Sequence, residues 1–288
     1  MARAKSTRPT SVKKKAVAKP VRRTTRRKTE KKPQRQMPSW LRYVIAGIIV
    51  FLFHAAFFSF FIRPYSYRWK PCYGFKAYGV CMPAGFHVHG IDVSHYQGNI
   101  DWKMLTQTRQ GKFPIHFVFM KASEGGDYGD KTFIANFDSA KTHGFIRGAY
   151  HFYNPETDPI RQADFFIHSV KLDSGDLPPV LDIEKKGKDE NQLRRDLKLW
   201  LDKIEQHYKV KPILYTSYKF KTRYLNDSVF NSYPYWIAHY YVDSVAYRGE
   251  WKFWQHTDVG TLPGIREKVD LNIFNGSLDE LQAMTLKE

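Results

Sequence analysis

The sequence predicts an α/β protein, an irregular TIM-like barrel of eight strands with fewer than eight helices, preceded by one transmembrane helix. The barrel is predicted by strand-like runs that alternate with helical patterns over residues 88–288. A segment of roughly 200 residues is long enough for one substantial core. The transmembrane helix is predicted by a long run of uncharged, mostly apolar residues near the amino terminus.

Eight short runs have the apolar, β-branched and aromatic composition that is typical of buried strands. They are His89–Val93, Ile115–Lys121, Arg147–Phe152, Pro179–Glu184, Pro212–Thr216, Tyr235–His239, Glu250–Gln255 and Val269–Phe274. Helical patterns lie between the earlier runs, at Trp102–Arg109, Lys131–His143, Ile160–Val170, Glu190–Tyr208 and Ser217–Leu225. We therefore expect a parallel barrel that has few helices past about residue 230.

Charge is concentrated at the amino terminus. Residues 1–36 hold fifteen Lys or Arg and one acid, Glu30, so they carry +14 of the chain's net +18 and leave about +4 for the other 252 residues. Unbroken like charge without aromatic residues cannot build a core, so we expect residues 1–42 to form a disordered basic tail. The high pI therefore describes the tail, and it does not indicate a nucleic-acid-binding barrel.

The segment 43–62 has the properties of a membrane span. It holds twenty residues without a formal charge between Arg42 and Arg63, and twenty residues of helix are about 30 Å long, the thickness of the hydrocarbon layer. A cleaved signal peptide is the alternative, but the apolar run is longer than usual and no small-x-small cleavage site follows it. The positive-inside rule then predicts a cytoplasmic tail, a signal anchor in contact with membrane lipid, and an extracytoplasmic carboxyl-terminal domain.

The chain has two cysteines, Cys72 and Cys81, and both lie in the predicted linker 63–87. Outside the cytoplasm, two cysteines nine positions apart around glycines can close a small loop. We expect a disulfide between them, with two free thiols as the alternative. No spacing of cysteine and histidine predicts a metal site, and we expect no cofactor.

The most informative motif is a pair of carboxylates at a strand end, Asp182 and Glu184. Because side chains alternate along a strand, the two would project to the same side with Cα atoms roughly 6.6 Å apart. By itself the pair could be a solvated strand end. Other polar and aromatic residues, however, stand at the carboxyl ends of the other predicted strands, where barrel enzymes hold their active sites. These are Asp92, Glu124, Tyr150, Tyr215, Trp236, Gln255 and Asp270. Paired acids with aromatic faces suit cleavage of glycosidic bonds.

Several ordered motifs in this segment resemble those of the family-25 glycoside hydrolases, the muramidase-type lysozymes. They are Gly90–Gly98 with Asp101–Trp102, Lys121–Gly125, Asp130 with Phe133 and Asn136, Gly148–Phe152, Pro178–Glu184, Trp254–Gln255 and Val269–Asn272. The resemblance covers about residues 88–276 and implies hydrolysis of the β-1,4 bond after N-acetylmuramic acid in peptidoglycan. Ser123 and His256 depart from it, where threonine and tyrosine are more common.

The resemblance and the strand-end position together make Glu184 the expected general acid. Asp182 is expected to orient the N-acetyl group of the substrate as an internal nucleophile, and Asp182 and Asp92 are expected to raise the pKa of Glu184. A direct role for a carboxylate, Asp92 or Asp270, as nucleophile or base is the open alternative. Tyr150, Tyr215, Trp236 and Gln255 are expected to contact substrate.

Two functions of other classes remain open. An inactive, membrane-anchored peptidoglycan-binding module would keep the aromatic residues and lose an acid. A nucleic-acid or scaffold protein would act through its basic tail, although lysines beside a membrane span are more simply explained by orientation and by attraction to anionic lipid. We therefore expect peptidoglycan glycan strands as the partner and no specific nucleic acid.

Overall fold

The computed structural model describes residues 37–63, 72, 74–247 and 249–287. The chain divides into two compact units, Met1–Ile62 and Arg63–Glu288. Residues 1–36 of the predicted tail 1–42 lie outside the described residues, and the expectation of disorder is wrong for residues 39–42, which are helical. Residues 64–71 and 73 of the predicted linker 63–87 also lie outside the described residues.

The first unit contains helix α1, Ser39–Phe57, which continues as a π-helical turn, Phe58–Ile62. Together they form 24 residues, of which 18 consecutive ones have a mean hydropathy of 2.4, and none of these side chains is buried against protein. Within the described part of the chain this is the one helix that is long and apolar enough to cross a membrane. The predicted span 43–62 lies inside it.

The second unit begins with a small antiparallel hairpin of strands β1, Lys76–Ala77, and β2, Val80–Cys81. Its two turn residues, Tyr78 and Gly79, both have positive φ, as a two-residue hairpin of this hand requires. Cys72 is bonded to Cys81 in a disulfide.

The hairpin is anchored on the barrel by a few specific contacts. The Tyr78 hydroxyl donates to the carbonyl of Phe113 at 2.6 Å, and the Tyr78 carbonyl accepts from the amide of Thr261 at 2.8 Å. Met82, just after the hairpin, is buried in the main core. The disulfide-bonded segment therefore packs as part of the barrel unit, ahead of residue 88.

Eight strands close into a barrel, as the sequence predicts. They are β3 (Val88–Val93), β4 (Ile115–Glu124), β6 (Ile146–Phe152), β7 (Val180–Asp182), β8 (Ile213–Ser217), β9 (Tyr235–Ala238), β10 (Phe253–Gly260) and β11 (Val269–Phe274). Their order is β3-β11-β10-β9-β8-β7-β6-β4, and pairing of β3 with β4 closes the ring. A further strand, β5 (Tyr128–Gly129), extends β4 as a short hairpin.

The described part of the barrel unit has six α-helices, so the expectation of fewer helices than strands is confirmed. They are α2 (Trp102–Leu105), α3 (Phe133–Thr142), α4 (Pro159–Ser169), α5 (Glu190–Tyr208), α6 (Tyr218–Tyr224) and α7 (Leu278–Ala283). Side chains fix where most of them start. Asp158 and Asp189, for example, accept from backbone amides in the first turns of α4 and α5.

The expectation of a parallel barrel is wrong for one strand. β11 runs antiparallel to both of its neighbours, β10 and β3. The connection from β10 to β11 is residues 261–268, which is too short for the crossover of a dozen or more residues that a parallel neighbour needs. Since β10 runs parallel to the other strands and ends at the rim, this connection and the start of β11 also lie at the rim.

The lower part of the barrel interior is filled by aromatic rings. Gly90 and Gly148 leave the space for them, because a Cβ atom would lie 2.4 Å from the ring of Phe117 at the first position and 2.6 Å from that of Phe119 at the second. The Phe119 ring stacks on Trp236 with centroids 4.5 Å apart. These rings form an apolar floor, and the polar side chains of the rim stand above it.

Candidate active site

Eight of the nine residues that the sequence predicts for the site line one cleft at the rim. They are Asp92, Tyr150, Asp182, Glu184, Tyr215, Trp236, Gln255 and Asp270. Most of them stand on barrel strands with their side chains directed inward, since strand positions alternate between the interior and the helix layer. Glu184 follows β7, which ends at Asp182, so it stands just above the strand.

Glu124, the ninth residue, lies in a neighbouring cavity instead. Its carboxylate accepts from the Lys121 ammonium at 2.6 Å. Lys121 itself lines both the cleft and that cavity. Glu124 therefore contributes to the cleft through its ion pair with Lys121.

Asp92 is held by two side-chain amides. Its Oδ2 atom accepts from Nε2 of Gln255 at 2.8 Å and from Nδ2 of Asn272 at 2.7 Å. All three side chains are buried. Two N–H donors on one oxygen favour the ionised carboxylate at that position.

The orientation of both amides is itself fixed by further donors. The Gln255 carbonyl oxygen accepts from the hydroxyls of Tyr215 at 2.7 Å and Tyr240 at 2.6 Å. The Asn272 carbonyl oxygen accepts from the indole N–H of Trp236 at 2.8 Å. Because the amide oxygens are occupied by these donors, each NH₂ group must face Asp92. Two residues expected to contact substrate, Tyr215 and Trp236, thus also position a carboxylate.

Asp92 faces a second carboxyl group. Asp270 pairs with it across the antiparallel β3 and β11 strands. Burial raises the pKa of Asp92 to about 7 against the bonds from Asn272 and Gln255, which lower it. Burial and then the charge of Asp92 raise the pKa of Asp270 to about 9. Asp92 is therefore the first of the pair to ionise, and the remaining proton resides on Asp270.

Asp182 is a buried acid with an unused acceptor. Among the described residues, no side chain or backbone group donates to its Oδ1 atom, which is inaccessible to solvent. Burial raises the pKa of Asp182 well above its usual range, and the charges of Glu184 and Asp92 raise it further. The Asp182 side chain also lines the cleft, so a ligand there can offer its carboxyl group a donor.

Glu184 stands at the mouth of the cleft and remains exposed as a whole residue. Partial burial of its carboxyl group raises its pKa, and the charges of Lys185 and Lys121 act in the opposite direction. The expected cause, repulsion by Asp182 and Asp92, is thus not the main one. Repulsion among these carboxylates instead raises the pKa of Asp92 and of Asp182.

Several residues of the cleft or its support were not predicted to have a role, among them Lys121, Tyr96, Tyr240 and Asn272. Asn272 stands two positions after Asp270 on β11, so strand alternation could have placed it on the same face. Tyr240 stands four positions after Trp236, an even number, so the same alternation could have placed the two side chains on one face. No three His, Cys, Asp or Glu side chains converge to hold a metal ion anywhere in the described ranges.

Comparison with known proteins gives consistent similarities. The family model "Glycosyl hydrolases family 25" matches residues 91–265. The chain is 39% identical to "Uncharacterized protein YegX" of Escherichia coli over 77% of this chain and 80% of that protein. It is 34% identical to "Lysozyme M1" of Streptomyces globisporus over 68% and 71% of the two chains.

A solved bacterial lysozyme from Streptomyces coelicolor superposes with a TM-score of 0.64 at 32% identity, covering 70% of this chain and 98% of that one. The sequence match, the barrel with its antiparallel closing strand and the carboxyl-lined cleft agree with one another. The chain therefore belongs to family 25 of the glycosyl hydrolases.

Proposed function

We propose that this protein is a peptidoglycan hydrolase, a lysozyme of the N-acetylmuramidase type. It cleaves the β-1,4 bond between N-acetylmuramic acid and N-acetylglucosamine. Family membership supports glycoside hydrolysis, and the name of the Streptomyces relative supports the substrate. The observation that carries the proposal is the pair of carboxyl groups, Asp182 and Glu184, that line one cleft and both have a raised pKa.

Glu184 acts as the general acid in this proposal. A raised pKa favours the protonated glutamic acid, as proton donation to the leaving glycosidic oxygen requires. Its position at the mouth of the cleft lets a glycan reach it without movement of the barrel.

Asp182 orients the N-acetyl group of the muramic acid. Its carboxyl group lines the cleft and suits the N–H of that acetamido group, and holding this N–H directs the acetyl oxygen toward the anomeric carbon as an internal nucleophile. Asp92, fixed by Gln255 and Asn272, supplies negative charge beside the carbon on which positive charge develops.

A direct role for Asp92 as nucleophile or base is the competing mechanism. Its single, firmly held carboxylate gives this alternative a structural basis, whereas the protonated Asp270 is poorly suited to it. Thiazoline mimics of an oxazoline intermediate inhibit only the substrate-assisted route. An inverted first product would indicate a water-activating base.

We further propose a single-pass topology. Residues 1–42 form a cytoplasmic tail, 43–62 the anchor in membrane lipid, 63–87 the linker, and 88–288 the catalytic domain on the periplasmic or cell-wall side. The apolar helix α1 and a domain that acts on peptidoglycan support this arrangement, and the fifteen basic residues ahead of the helix support the orientation.

One experiment tests the activity. The full-length protein in detergent is incubated with purified peptidoglycan, and the new reducing ends are reduced with borohydride and identified. Muramitol supports the muramidase, whereas glucosaminitol would indicate a glucosaminidase. Glu184→Gln is the matched control, and absence of any new end with the wild-type protein would instead favour an inactive peptidoglycan-binding module.

A further inference from the structure

Three lysines directly follow the proposed general acid. They are Lys185, Lys186 and Lys188, in the loop between Glu184 and the start of helix α5 at Glu190. All three residues are exposed. The proposed hydrolysis assigns a role to none of them, although the loop leaves the mouth of the catalytic cleft.

The loop lies against the wall of the cleft. The ammonium of Lys185 is 5.3 Å from the ring centroid of Phe152, a residue that lines the cleft. A Cβ atom at Gly187 would lie 3.0 Å from Pro155, so the middle of the loop packs closely on the segment that follows β6. Its far end is fixed by Asp189, whose carboxylate caps α5. The lysines therefore stand directly beside the cleft.

Two arginines extend the positive charge of the loop. The Lys186 ammonium and the Arg223 guanidinium lie 5.9 Å and 5.2 Å from the ring centroid of Tyr224, the last residue of α6. Arg194 of α5 donates to the carbonyl oxygen of Tyr224 at 3.2 Å. We call these five cations the basic patch: Lys185, Lys186, Lys188, Arg194 and Arg223.

Acids neutralise little of the basic patch. Among the described residues, the one carboxylate within ion-pair distance of the patch is that of Glu190, 3.9 Å from the Lys186 ammonium. Both side chains of this pair are about half exposed, so water screens the attraction strongly. Asp189 is nearby, but its carboxylate accepts a helix-capping bond. Since the chain beyond its basic tail is close to neutral overall, five cations with one weak acidic partner are a local concentration of charge.

A ligand for this patch must be anionic and must extend out of the cleft. In peptidoglycan the muramic acid carries a stem peptide, which has more carboxylates than amines. The general acid protonates the oxygen that leaves this sugar, so the muramic acid and its peptide lie beside Glu184 in the proposed reaction. The cleft itself is lined by carboxyl groups and repels such a peptide, whereas the loop after Glu184 attracts it.

We propose that the basic patch binds carboxylates of the stem peptide and makes the enzyme selective for glycan strands that still carry their peptides. This inference rests on the proposed muramidase function and deepens it. An ion pair with the peptide contributes only when the peptide is present, so its effect appears as a difference between two substrates.

The double variant Lys186→Gln/Lys188→Gln tests the patch. It removes two charges and keeps Lys185, whose charge acts on the pKa of Glu184. The full-length protein is assayed on two probes, soluble uncross-linked glycan strands that carry tetrapeptides and the same strands after an amidase has removed the peptides. We expect kcat/KM on the peptide-bearing strands to fall about 3- to 10-fold, the value of two exposed ion pairs, and to change less than about 2-fold on the bare strands. Added salt should reduce the preference of the wild type for peptide-bearing strands.

Lys171→Gln/Lys209→Gln is the matched control. Both lysines are exposed and lie in the loops that lead into β7 and β8, at the opposite end of the barrel from the cleft. This variant loses the same charge and should match the wild type on both probes.

Equal losses on both probes, no loss on the peptide-bearing strands, or an equal loss in the control variant would overturn the proposal. A loss that appears only on whole cell walls, and not on the purified peptide-bearing strands, would also overturn it and assign the patch to another anionic polymer of the wall. The parent function is tested separately, because wild-type protein that releases no muramic acid end from either probe contradicts the muramidase and not merely the peptide contact.

Discussion

Asn272→Ala removes one of the two amide donors that hold Asp92. A hydrogen bond to a charged group contributes about 1.5–3 kcal/mol, and one pKa unit corresponds to about 1.4 kcal/mol. Loss of the donor should therefore raise the pKa of Asp92 by about one to two units above its value of about 7. If Asp92 works as a carboxylate, activity is lost below that pKa, so the acid limb of the profile moves to higher pH.

The assay is kcat/KM on peptidoglycan at closely spaced pH values from 5 to 10, which reports ionisations of the free enzyme. Asn272→Ala also leaves the indole N–H of Trp236 without its acceptor, which should lower the free energy of unfolding by about 1–3 kcal/mol. A lower melting temperature alone is thus no evidence for the electrostatic role.

Asn136→Ala is the matched control. Asn136 is also buried and also accepts from an indole N–H, that of Trp102 at 3.4 Å, and it has no bond to Asp92. It should lose stability without moving the pH profile. An acid limb that is unshifted in Asn272→Ala, or equally shifted in both variants, would refute the reasoning.

Four further outcomes are expected. Glu184→Gln should lower peptidoglycan hydrolysis by about 10²–10⁴-fold and keep binding, and near-wild-type activity would contradict the catalytic role; Asp182→Asn should be comparably severe and far from additive with it. Asp270→Asn should stabilise the fold increasingly, relative to the wild type, as the pH rises from about 4 through about 9, because in that window the unfolded wild-type chain ionises Asp270 whereas the native protein keeps it protonated; melting temperatures at pH 5 and pH 9 test this, and an equal difference at both pH values contradicts it. Cys72→Ser should cost about 2–3 kcal/mol of stability and little activity at 25 °C, as a melting curve and an activity assay would show. Protease added to cells with only the outer envelope opened should remove the catalytic domain and spare the basic tail, as immunoblots against each end would show; the reverse pattern would contradict the topology.

Much of the barrel could be predicted because its signals are local. Each buried strand is a short apolar run, and Asp92 and Asp182 follow directly from their positions near strand ends. The direction of β11 could not be predicted in this way, since a period of two residues is the same in a parallel and an antiparallel strand. The length of the preceding loop was the available signal.

The hydrogen bonds that hold Asp92 could not be predicted from residues close to it in the sequence. Gln255 is 163 positions away in sequence and Asn272 is 180 positions away, and only the closed barrel brings them together. The main cause of the raised pKa of Glu184 is burial, and it could not be predicted for a related reason. Burial depends on walls contributed by distant strands, whereas the acids close in sequence were visible at once.

The antiparallel closing strand also has a consequence for how such an enzyme can diversify. The connection 261–268 stands at the rim and is attached to the adjacent loop after β3, since the carbonyl of Gly264 accepts from the amide of Asp101 and the side-chain amide of Gln97 donates to the carbonyl of Lys268. A Cβ atom at Gly264 would lie 2.3 Å from the Asp101 oxygen, so this contact point requires glycine. Between these two attachments, residues can be inserted without altering strand pairing. Longer insertions there would build a new wall over the cleft and change which glycans enter it.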